Sequence, residues 1–505
     1  MKKKFLLFIN LLALLFAWQV SHIKQVAADD KIKVVTTFYP VYEFTKAVTG
    51  DSADVSMLIK AGTEPHDFEP STKNVATISD ADMFVYMDDS METWVKKVQK
   101  SINSDDLTVV KSTGDMLLMA GTAEEEEEGH EGHSHEYDPH VWLSPKRAVT
   151  LVENIRDAFV AKYPDKAETF KTNSAAYIEK LNDLDKKYSD ALSNAKQKSF
   201  VTQHAAFGYL ALDYGLNQIP ITGVSAESEP SAKRLASLTK YVKKYDIKYI
   251  YFEENASSKV AATLADEAGV KTAVLNPLES LTTKEIKAGE DYFTVMKDNL
   301  KALRLTTDVK GKEIKAETDD TKTVQHGYFK DKDVTDRKLT DWSGTWQSVY
   351  PYLLDGTLDE VWEYKADASK GEQTAQEVKD YYTTGYKTDV EKIIIDGKKS
   401  TVTFVQNGEE HKYIYKYVGY KILKYEKGNR GVRYLFEAKD DNAGDFKYIQ
   451  FSDHNISSTK AEHFHLFWGS TSQKAILKEM DNWPTYFPAS KSGQEIAQDL
   501  VAHLD

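Results

Sequence analysis

The sequence predicts a multidomain chain. An N-terminal α/β unit of two lobes, joined by a long rigid helix, precedes a C-terminal, mainly antiparallel β-barrel or sandwich. Short β-rich runs alternate with amphipathic stretches across residues 31–305, residues 145–195 follow a helical pattern, and polar and apolar residues alternate strongly from residue 392 onward. With 505 residues, the chain also exceeds the size at which single hydrophobic cores stop growing.

The N-terminal unit is predicted to have lobe one at about 31–144, linking helices at 145–197 and lobe two at 198–305. Four β-rich runs precede the linking helices and four follow them, and we expect parallel pairing because helices alternate with these runs. The runs are KIKVVTT, ADVSMLI, ADMFVYM and LTVVK, then KSFVTQ, IPITG, IKYIYFEE and VKTAVLN. Residues 166–195 contain no Gly or Pro, which is typical of a rigid strut.

The C-terminal half has a different pattern. Residues 306–322 are polar and charged and are predicted to form a linker, and residues 323–505 form the second unit. Its alternating segments are separated by turn signals at Asp396-Gly397 and Asn407-Gly408, which predict an antiparallel meander with peripheral helices.

Charge and composition exclude several classes of protein. The chain carries 65 Lys and Arg against 79 Asp and Glu, a net charge of −14, whereas nucleic-acid binding needs a basic surface. Residues 1–28 are predicted to be a secretory signal peptide, because lysines precede a short apolar run and a small-residue site ends at Ala28. The sequence has no cysteine, so any metal must be held by His, Asp or Glu.

Four residues of types that bind metals occupy predicted loops. His66 follows the strand DVSMLI, His204 lies where a strand ends and a helix begins, and Glu279 follows the strand TAVLN. His140 immediately precedes the helix that begins near Pro145. Ligands of parallel α/β sheets bind beyond the carboxyl ends of the strands. His66 and His140 would therefore lie on one lip of a cleft between the lobes, and His204 and Glu279 on the other. Spacing alone leaves ordinary surface or capping histidines as an alternative.

Five motifs around these residues resemble those of the zinc-specific solute-binding proteins of bacterial metal ABC transporters. They are TEPHDFEPS, DPHVWLSP, VTQHAAFGYLA, ESEPSAKRL and VLNPLESL, and the resemblance covers roughly residues 31–305. It implies two α/β lobes joined by a rigid helix, with His66, His140, His204 and Glu279 as the zinc ligands. Related manganese receptors carry a carboxylate at the position of His204, and three imidazoles with one carboxylate suit tetrahedral zinc better than manganese.

A second group of histidines lies in the segment SDHNISSTKAEHFHLFWG. His463 and His465 are two residues apart on an alternating strand and therefore point to the same face, while Phe464 points to the other. Together with His454, these imidazoles would converge at the mouth of a barrel. The alternative is that they are ordinary polar residues of a half-exposed strand.

The segment DRKLTDWSGTWQSVYPYLLDGTLDEVWEYKA, taken with HFHLFWG, resembles the ZinT family of extracytoplasmic zinc-binding domains. This resemblance runs from about Thr323 to the C-terminus. It implies a calycin-like, lipocalin-like barrel in which His454, His463 and His465 bind zinc and leave an open position for water or a donated histidine. The whole chain is thus similar to streptococcal-type zinc receptors that fuse both modules. Such receptors usually carry a lipid-bearing cysteine after the signal sequence, and this chain has none.

An acidic, histidine-rich stretch, AEEEEEGHEGHSHEYDPH, leads into the first group of candidate ligands. His130, His133 and His135 lie in it, outside any helix or strand pattern, and zinc receptors of this kind often carry such a loop beside the cleft. The hypothesis is that the loop gathers zinc weakly, because its glutamates raise the local cation concentration, and passes the ion to the deep site. A solvated loop without a role is the alternative.

These features predict an extracellular zinc receptor that captures Zn²⁺ at two sites, one per unit, and delivers it to the membrane permease of an ABC importer. It is expected to be a monomer at the surface of a Gram-positive-type bacterium and not an enzyme. One alternative is a secreted zinc hydrolase, which would need an open coordination position and a general base, although HExxH is absent. The others are a manganese receptor and a surface adhesin of the same family. Glu253 and Glu254 are interpreted as charges that cap the exit of a buried strand.

Overall fold

The computed structural model describes residues 31–102, 106–121, 137–222, 232–253, 259–312, 324, 327–425 and 428–502. The predicted signal peptide, most of the predicted linker, and the residues His130, His133, His135 and Glu254 lie outside the described residues.

The first lobe is a four-stranded parallel sheet in the order β2-β1-β3-β4. Every residue of β3 is buried, as expected for parallel strands covered by helices on both faces. The elements are β1 (Ile32–Thr36), α1 (Tyr39–Thr49), β2 (Ala53–Met57), α2 (Thr72–Ser79), β3 (Met83–Tyr86), α3 (Val95–Ser101) and β4 (Thr108–Lys111). The predicted strands and their parallel pairing are confirmed.

Two helices, α4 (Pro145–Lys162) and α5 (Ala167–Leu192), join the lobes. Pro145 occupies the first turn of α4, where a missing N–H costs nothing. The 26 residues of α5 reach about 39 Å, and its apolar stripe, which includes Leu181 and Tyr188, is fully buried. The predicted strut is confirmed. No helix in the described part of the chain is both long enough and apolar enough to span a bilayer.

The second lobe repeats the design of the first, with a parallel sheet in the order β6-β5-β7-β8. Its strands again run so that their carboxyl ends share one edge. The elements are β5 (Ser199–Thr202), α6 (Gly208–Asp213), β6 (Asn217–Pro220), α7 (Ala232–Tyr245), β7 (Tyr249–Phe252), α8 (Lys259–Ala268), β8 (Lys271–Val274), α9 (Thr283–Ala288) and α10 (Tyr292–Thr307).

The C-terminal unit is a closed antiparallel barrel in the order β10-β11-β12-β13-β14-β15-β16-β9, which decides between the barrel and the sandwich. Asn407 and Gly408 both have positive φ, 52° and 79°, as a tight hairpin turn between β11 and β12 requires. The elements are β9 (Gly344–Ser348), α11 (Tyr350–Leu354), α12 (Asp359–Ala368), α13 (Ala375–Tyr386), β10 (Val390–Asp396), β11 (Thr401–Gln406), β12 (Glu409–Lys424), β13 (Arg430–Ala438), β14 (Tyr448–Ser452), β15 (Phe464–Gly469), α14 (Gln473–Ile476), β16 (Thr485–Pro488) and α15 (Gly493–Ala502).

The two units are docked on each other through helices of the C-terminal unit. One continuous hydrophobic core contains Leu117 and Leu118 of lobe one together with Val361 of α12 and Ile496 of α15. The interior of the barrel forms a separate core around Trp342. The helices beside the barrel therefore belong, by packing, to both units.

Candidate metal centres

Three imidazoles and one carboxylate converge between the two lobes. His66 Nε2 lies 3.2 Å from His140 Nε2. Glu279 Oε1 lies 3.4–3.5 Å from Nε2 of His66, His140 and His204. The four side chains are only 0–7% exposed. The structure thus brings together all four residues that the sequence predicted for this site.

The separations match the corners of a tetrahedron around a small cation. With zinc–ligand bonds of about 2.0–2.1 Å, the edge of such a tetrahedron is about 3.3 Å. Within the described residues, the buried atoms His204 Nε2 and Glu279 Oε1 have no hydrogen-bond partner. Buried polar atoms without partners are rare and costly, and a cation at the centre would satisfy both. The donor set therefore fits a bound zinc ion.

Each lobe contributes candidate ligands through loops at the carboxyl edge of its sheet. His66 lies in the loop after β2, His204 follows β5, and Glu279 lies in the loop after β8. His140 directly precedes a short 3-10 turn, Val141–Leu143, that leads into α4. This edge is where parallel sheets bind ligands, so the topology explains why residues far apart in sequence meet here.

Hydrogen bonds between the lobes hold these loops in register. The indole of Trp142 donates to the carbonyl of Pro277 at 2.8 Å, and the hydroxyl of Tyr292 donates to the carbonyl of Trp142 at 2.7 Å. At the opening, the amide of Gly62 donates to Ser280 Oγ at 3.2 Å. These contacts lie close in sequence to the candidate ligands, so they fix the distance between the ligand loops of the two lobes.

Two further carboxylates orient the histidines. Asp138 Oδ1 accepts hydrogen bonds from Nδ1 of His140 at 2.8 Å and from its amide at 2.9 Å. Glu253 Oε1 accepts from Nδ1 of His204. Because these hydrogen bonds occupy Nδ1, Nε2 faces the centre and can bind a metal once it is deprotonated, the usual arrangement of metal-binding histidines. The interpretation of Glu253 as a capping charge missed this role, because only the pairing of β5 with β7 places it beside His204.

Burial and charge set the protonation of the ligands. Burial lowers the pKa of His66 to about 4, so this imidazole is neutral at neutral pH. Burial acts in the same direction on His140 and His204, but their carboxylate partners outweigh it and raise the pKa of both. Burial also opposes ionisation of Glu279, yet the three imidazoles that face its Oε1 at 3.4–3.5 Å hold its pKa well below the ordinary value. A cation that enters the centre is therefore attracted by the ionised Glu279 and displaces protons from His140 and His204.

The backbone beside Glu279 is held in an uncommon conformation. Leu278 has φ of 59°, in the left-handed region that non-glycine residues seldom adopt. Its amide donates to Asn276 Oδ1 at 2.7 Å. Asn276 is in turn held by Asn299, which accepts from its amide at 2.8 Å and donates to its carbonyl at 2.7 Å. Buried amides thus stabilise a strained turn that aims Glu279 at the centre.

Three imidazoles converge at one end of the barrel. His454 follows β14, His463 immediately precedes β15, and His465 lies on β15. Their ring centroids are 5.4–5.9 Å apart, and His454 Nε2 lies 3.3 Å from His465 Nε2. His463 and His465 face outward from the barrel, because Phe464 and Leu466 of the same segment pack in its core. His454 is exposed and the other two histidines are half-buried.

Neighbouring residues orient two of these imidazoles. Thr485 Oγ1 donates to the carbonyl of Trp483 at 3.0 Å, and it accepts from Nδ1 of His465 at 2.8 Å. Nε2 of His465 is therefore left to face the other histidines. The ring of His463 stacks on Phe487, with centroids 5.2 Å apart. Burial lowers the pKa of His465 well below its ordinary value, so this imidazole stays neutral.

A buried ion pair fixes the turn that carries His454, which has φ of 62°. Arg337 Nη1 donates to Asp453 Oδ1 at 2.5 Å, and Nη2 donates to the carbonyl of Thr459 at 2.6 Å. The guanidinium also lies 4.1 Å from the ring centroid of Trp342. Arg337 stands in the segment DRKLTDW, where no local signal indicates this role.

The histidine-rich loop begins and ends at a defined place in the structure. Ala120 and Tyr137 form an isolated antiparallel bridge that brings its two ends together. His130, His133 and His135 lie outside the described residues.

Comparisons with known protein families match both units. The family model of the periplasmic zinc-uptake complex component A matches residues 34–305. The model of ZinT (YodA), described as periplasmic, lipocalin-like and zinc-recruiting, matches residues 320–503. The chain therefore belongs to the zinc-uptake component A family and carries a C-terminal ZinT domain, so the resemblance to both families is confirmed.

Full-length relatives share this two-unit organisation. The zinc-binding protein AdcA of Streptococcus pyogenes is 66% identical over 515 aligned residues, which cover 100% of both chains. The zinc-binding lipoprotein AdcA of Streptococcus pneumoniae is 62% identical over 507 residues, again covering 100% of both. The crystal structure of Zn(II)-bound AdcA from Streptococcus pneumoniae matches with a TM-score of 0.83 and 61% identity, covering 94% of this chain and 100% of that chain.

Proposed function

We propose that this protein is a zinc receptor that captures Zn²⁺ outside the cytoplasm and delivers it to the permease of an ABC importer. The observation that carries the proposal is the closed tetrahedral set formed by His66, His140, His204 and Glu279 between two lobes. Four protein ligands leave no coordination position for a substrate, so such a site holds a metal as cargo. The zinc-binding names of the full-length relatives support the same function.

Zinc is favoured over manganese by the donor set. Three imidazole nitrogens and one carboxylate oxygen suit tetrahedral zinc, whereas manganese and magnesium prefer more oxygen ligands. Separations of 3.2–3.5 Å between the ligand atoms also match the short bonds of four-coordinate zinc.

The barrel provides a second zinc site, with His454, His463 and His465 as ligands. Three ligands leave a fourth position open to water or to a further imidazole. The same open position would be needed by a secreted zinc hydrolase, the rival function. The family is one of zinc-binding proteins and not of enzymes, and we therefore propose capture of zinc at this site.

The proposed site of action is outside the cytoplasmic membrane, with the protein working as a monomer. The signal-like pattern of residues 1–28 and the periplasmic description of both matching families support the location. Light scattering of the zinc-loaded protein during size-exclusion chromatography tests the monomer: the mass should equal that of one chain, and a dimer mass would contradict it.

The histidine-rich loop is proposed to gather zinc for the interlobe site. Its ends meet at the bridge between Ala120 and Tyr137, and the next residue, Asp138, holds His140. Deleting residues 124–135 should slow zinc loading at low zinc and leave the equilibrium affinity nearly unchanged. Stopped-flow loading of the two proteins measures this, and equal rates would show that the loop has no part in capture.

The metal content of the mature chain tests the main proposal. Protein stripped of metal is refilled in equal zinc and manganese, beside His66→Ala and a double variant, His463→Ala/His465→Ala. Two tight zinc ions are expected, with one lost in each variant. A matched control is His411→Ala, because His411 packs against Phe446 and belongs to neither cluster.

Each other outcome has a definite meaning. One zinc, lost only with His66→Ala, would confine the proposal to the interlobe site. Retention of manganese, or no tightly bound metal, would overturn the proposed function. Hydrolysis of a peptide or ester that disappears in His463→Ala would favour the rival enzyme.

A further inference from the structure

A tyrosine of the C-terminal unit fills the junction between the two lobes. Tyr364 of α12 is 2% exposed, and its hydroxyl donates to the carbonyl of Leu117 in lobe one at 2.5 Å. The same hydroxyl accepts a hydrogen bond from Arg147 of α4. Arg147 also forms a bidentate pair with Asp213 of lobe two, at 2.8 and 2.7 Å. One side chain of the barrel unit therefore contacts a network that joins both lobes and the helix between them.

Gln498 of α15 forms hydrogen bonds with Leu118, the residue that follows Leu117. Gln498 Oε1 accepts from the amide of Leu118 at 2.8 Å, and Gln498 Nε2 donates to its carbonyl at 2.6 Å. The side chain thus satisfies both backbone groups of one residue, as a neighbouring strand would. Leu117 and Leu118 are 1% and 4% exposed, so this backbone depends on the docked unit for its hydrogen bonds.

Residues 117–119 are connected by hydrogen bonds to the residues that support His140, a candidate ligand. Met119 donates from its amide to the hydroxyl of Tyr209 at 2.9 Å and accepts from the amide of Asp138 at 2.9 Å. The hydroxyl of Tyr209 donates to the carbonyl of Asp138 at 2.7 Å. The carboxylate of Asp138 holds His140, as described above. Residues 117–119 therefore bond to the C-terminal unit at one end and to the support of His140 at the other.

The guanidinium of Arg147 lies between rings from both units. Its Cζ lies 5.0 Å from the ring centroid of Tyr209 and 4.4 Å from that of Tyr364. Tyr209 belongs to lobe two and is fully buried. Buried polar networks are rigid only when every member keeps its partners, so removal of the Tyr364 hydroxyl should loosen the contact between the lobes.

We propose that Tyr364 and Gln498 are positioning residues for the interlobe metal centre, and that the docked C-terminal unit clamps the lobes and slows release of the bound cation. This inference rests on the proposed function, since it requires a cation in that centre. Opening of the lobes would separate Leu117 from the pair formed by Arg147 and Asp213. The docked unit therefore favours the closed state, in which the cation is held.

The test measures zinc release from the full chain. His463→Ala/His465→Ala removes the second site, so only one ion is followed after mixing with excess chelator. In this background, Tyr364→Phe keeps the ring against Arg147 and removes only the hydroxyl. Tyr381→Phe is the matched control, because Tyr381 lies on α13 and is 58% exposed.

Gln498→Ala is the second variant. It removes the two hydrogen bonds to Leu118 and leaves the contacts of Arg147 in place. Each variant should release zinc about three- to tenfold faster, the effect of one lost buried hydrogen-bonding group. Association rates should stay within twofold of the parent's, since the clamp acts on opening. The absorption of bound cobalt(II), which reports ligand geometry, should shift in both variants and not in the control.

Other outcomes separate the clamp from the proposed function. A parent that binds one zinc tightly, with release unchanged in both variants, overturns the clamp and leaves the zinc receptor standing. A change confined to association also overturns the clamp. A parent that binds no zinc overturns the proposed function, and the clamp with it.

Discussion

Most histidines of the two candidate metal centres present Nε2 to the centre. The two centres differ in how completely protein groups enclose them. The interlobe centre encloses its candidate ligands, which are 0–7% exposed, and Glu279 provides the fourth corner of a tetrahedron. The barrel centre consists of three histidines at one end of the barrel, one exposed and two half-buried. A closed site with an anionic ligand holds its ion tightly, whereas an open three-ligand site exchanges its ion readily.

The centres also differ in what orients their imidazoles. Carboxylates hold Nδ1 of His140 and His204, whereas the hydroxyl of Thr485 holds Nδ1 of His465. Hydrogen bonds to an ionised acceptor are about twice as strong as neutral ones, and they raise the basicity of the ligand. The interlobe centre is therefore expected to bind zinc more tightly than the barrel centre, and each prediction below tests one cause of that difference.

The largest effect is expected from Glu279→Gln, which removes the anionic ligand. A doubly charged cation would then be buried with no anionic group in direct contact, so zinc should bind at least about a hundredfold more weakly, more than for loss of a supporting residue. The barrel centre should become the tighter site. Chelator competition measures both affinities, and the barrel centre serves as the internal control. An unchanged order of affinities would show that closure does not depend on this carboxylate.

Glu253→Gln should weaken zinc binding at the interlobe centre by about 10- to 100-fold, because His204 loses its ionised partner. Glu267→Gln is the matched control, since Glu267 is exposed on α8 of the same lobe. Titration in the variant that lacks His463 and His465 isolates this site. Equal affinities in the two glutamine variants would return Glu253 to the role of a capping charge.

Proton release should distinguish the centres. The raised pKa values of His140 and His204 mean that, without metal, these imidazoles keep their second proton to higher pH than an ordinary histidine does, so zinc must displace protons over a wider pH range. The pKa values of both histidines lie above the ordinary 6.5. Once the pH falls below them, the affinity for zinc should decrease about tenfold per pH unit for each proton that zinc displaces. His66, with a pKa of about 4, adds to this loss only in strong acid.

The barrel centre should release fewer protons, because the pKa of His465 lies well below its ordinary value. Calorimetry of single-site variants in two buffers of different ionisation enthalpy counts the protons. Equal counts at the two centres would contradict the assigned protonation states.

The smallest effect is expected from Thr485→Val, which removes the hydroxyl that orients His465. One neutral hydrogen bond is lost, so zinc binding at the barrel centre should weaken by about two- to tenfold. Thr345→Val is the matched control, because Thr345 is exposed on strand β9 of the same barrel. A loss as large as that of Glu253→Gln would mean that the two centres are held with similar rigidity.

Local signals in the sequence determined much of the fold and the identity of the candidate ligands. Short β-rich runs set the strands of the two lobes, and polar–apolar alternation set those of the C-terminal unit. The Asn407-Gly408 turn set a hairpin, and the uninterrupted pattern of residues 166–195 set the strut. The seven candidate ligands stand in short motifs that are contiguous in sequence, and the resemblance of these motifs to two families of zinc-binding proteins indicated zinc. Each of these features depends on interactions within a few residues, which a sequence displays directly.

Only the tertiary structure decided how these parts are held. Closure of the barrel depends on pairing between β9 and β16 at opposite ends of the unit. The support of His204 by Glu253 joins residues 49 positions apart, and the contact of Arg147 with Tyr364 joins residues 217 positions apart. Nothing local in the sequence records such contacts, because they arise from the docking of sheets and helices whose relative placement is set by the packing of the whole chain.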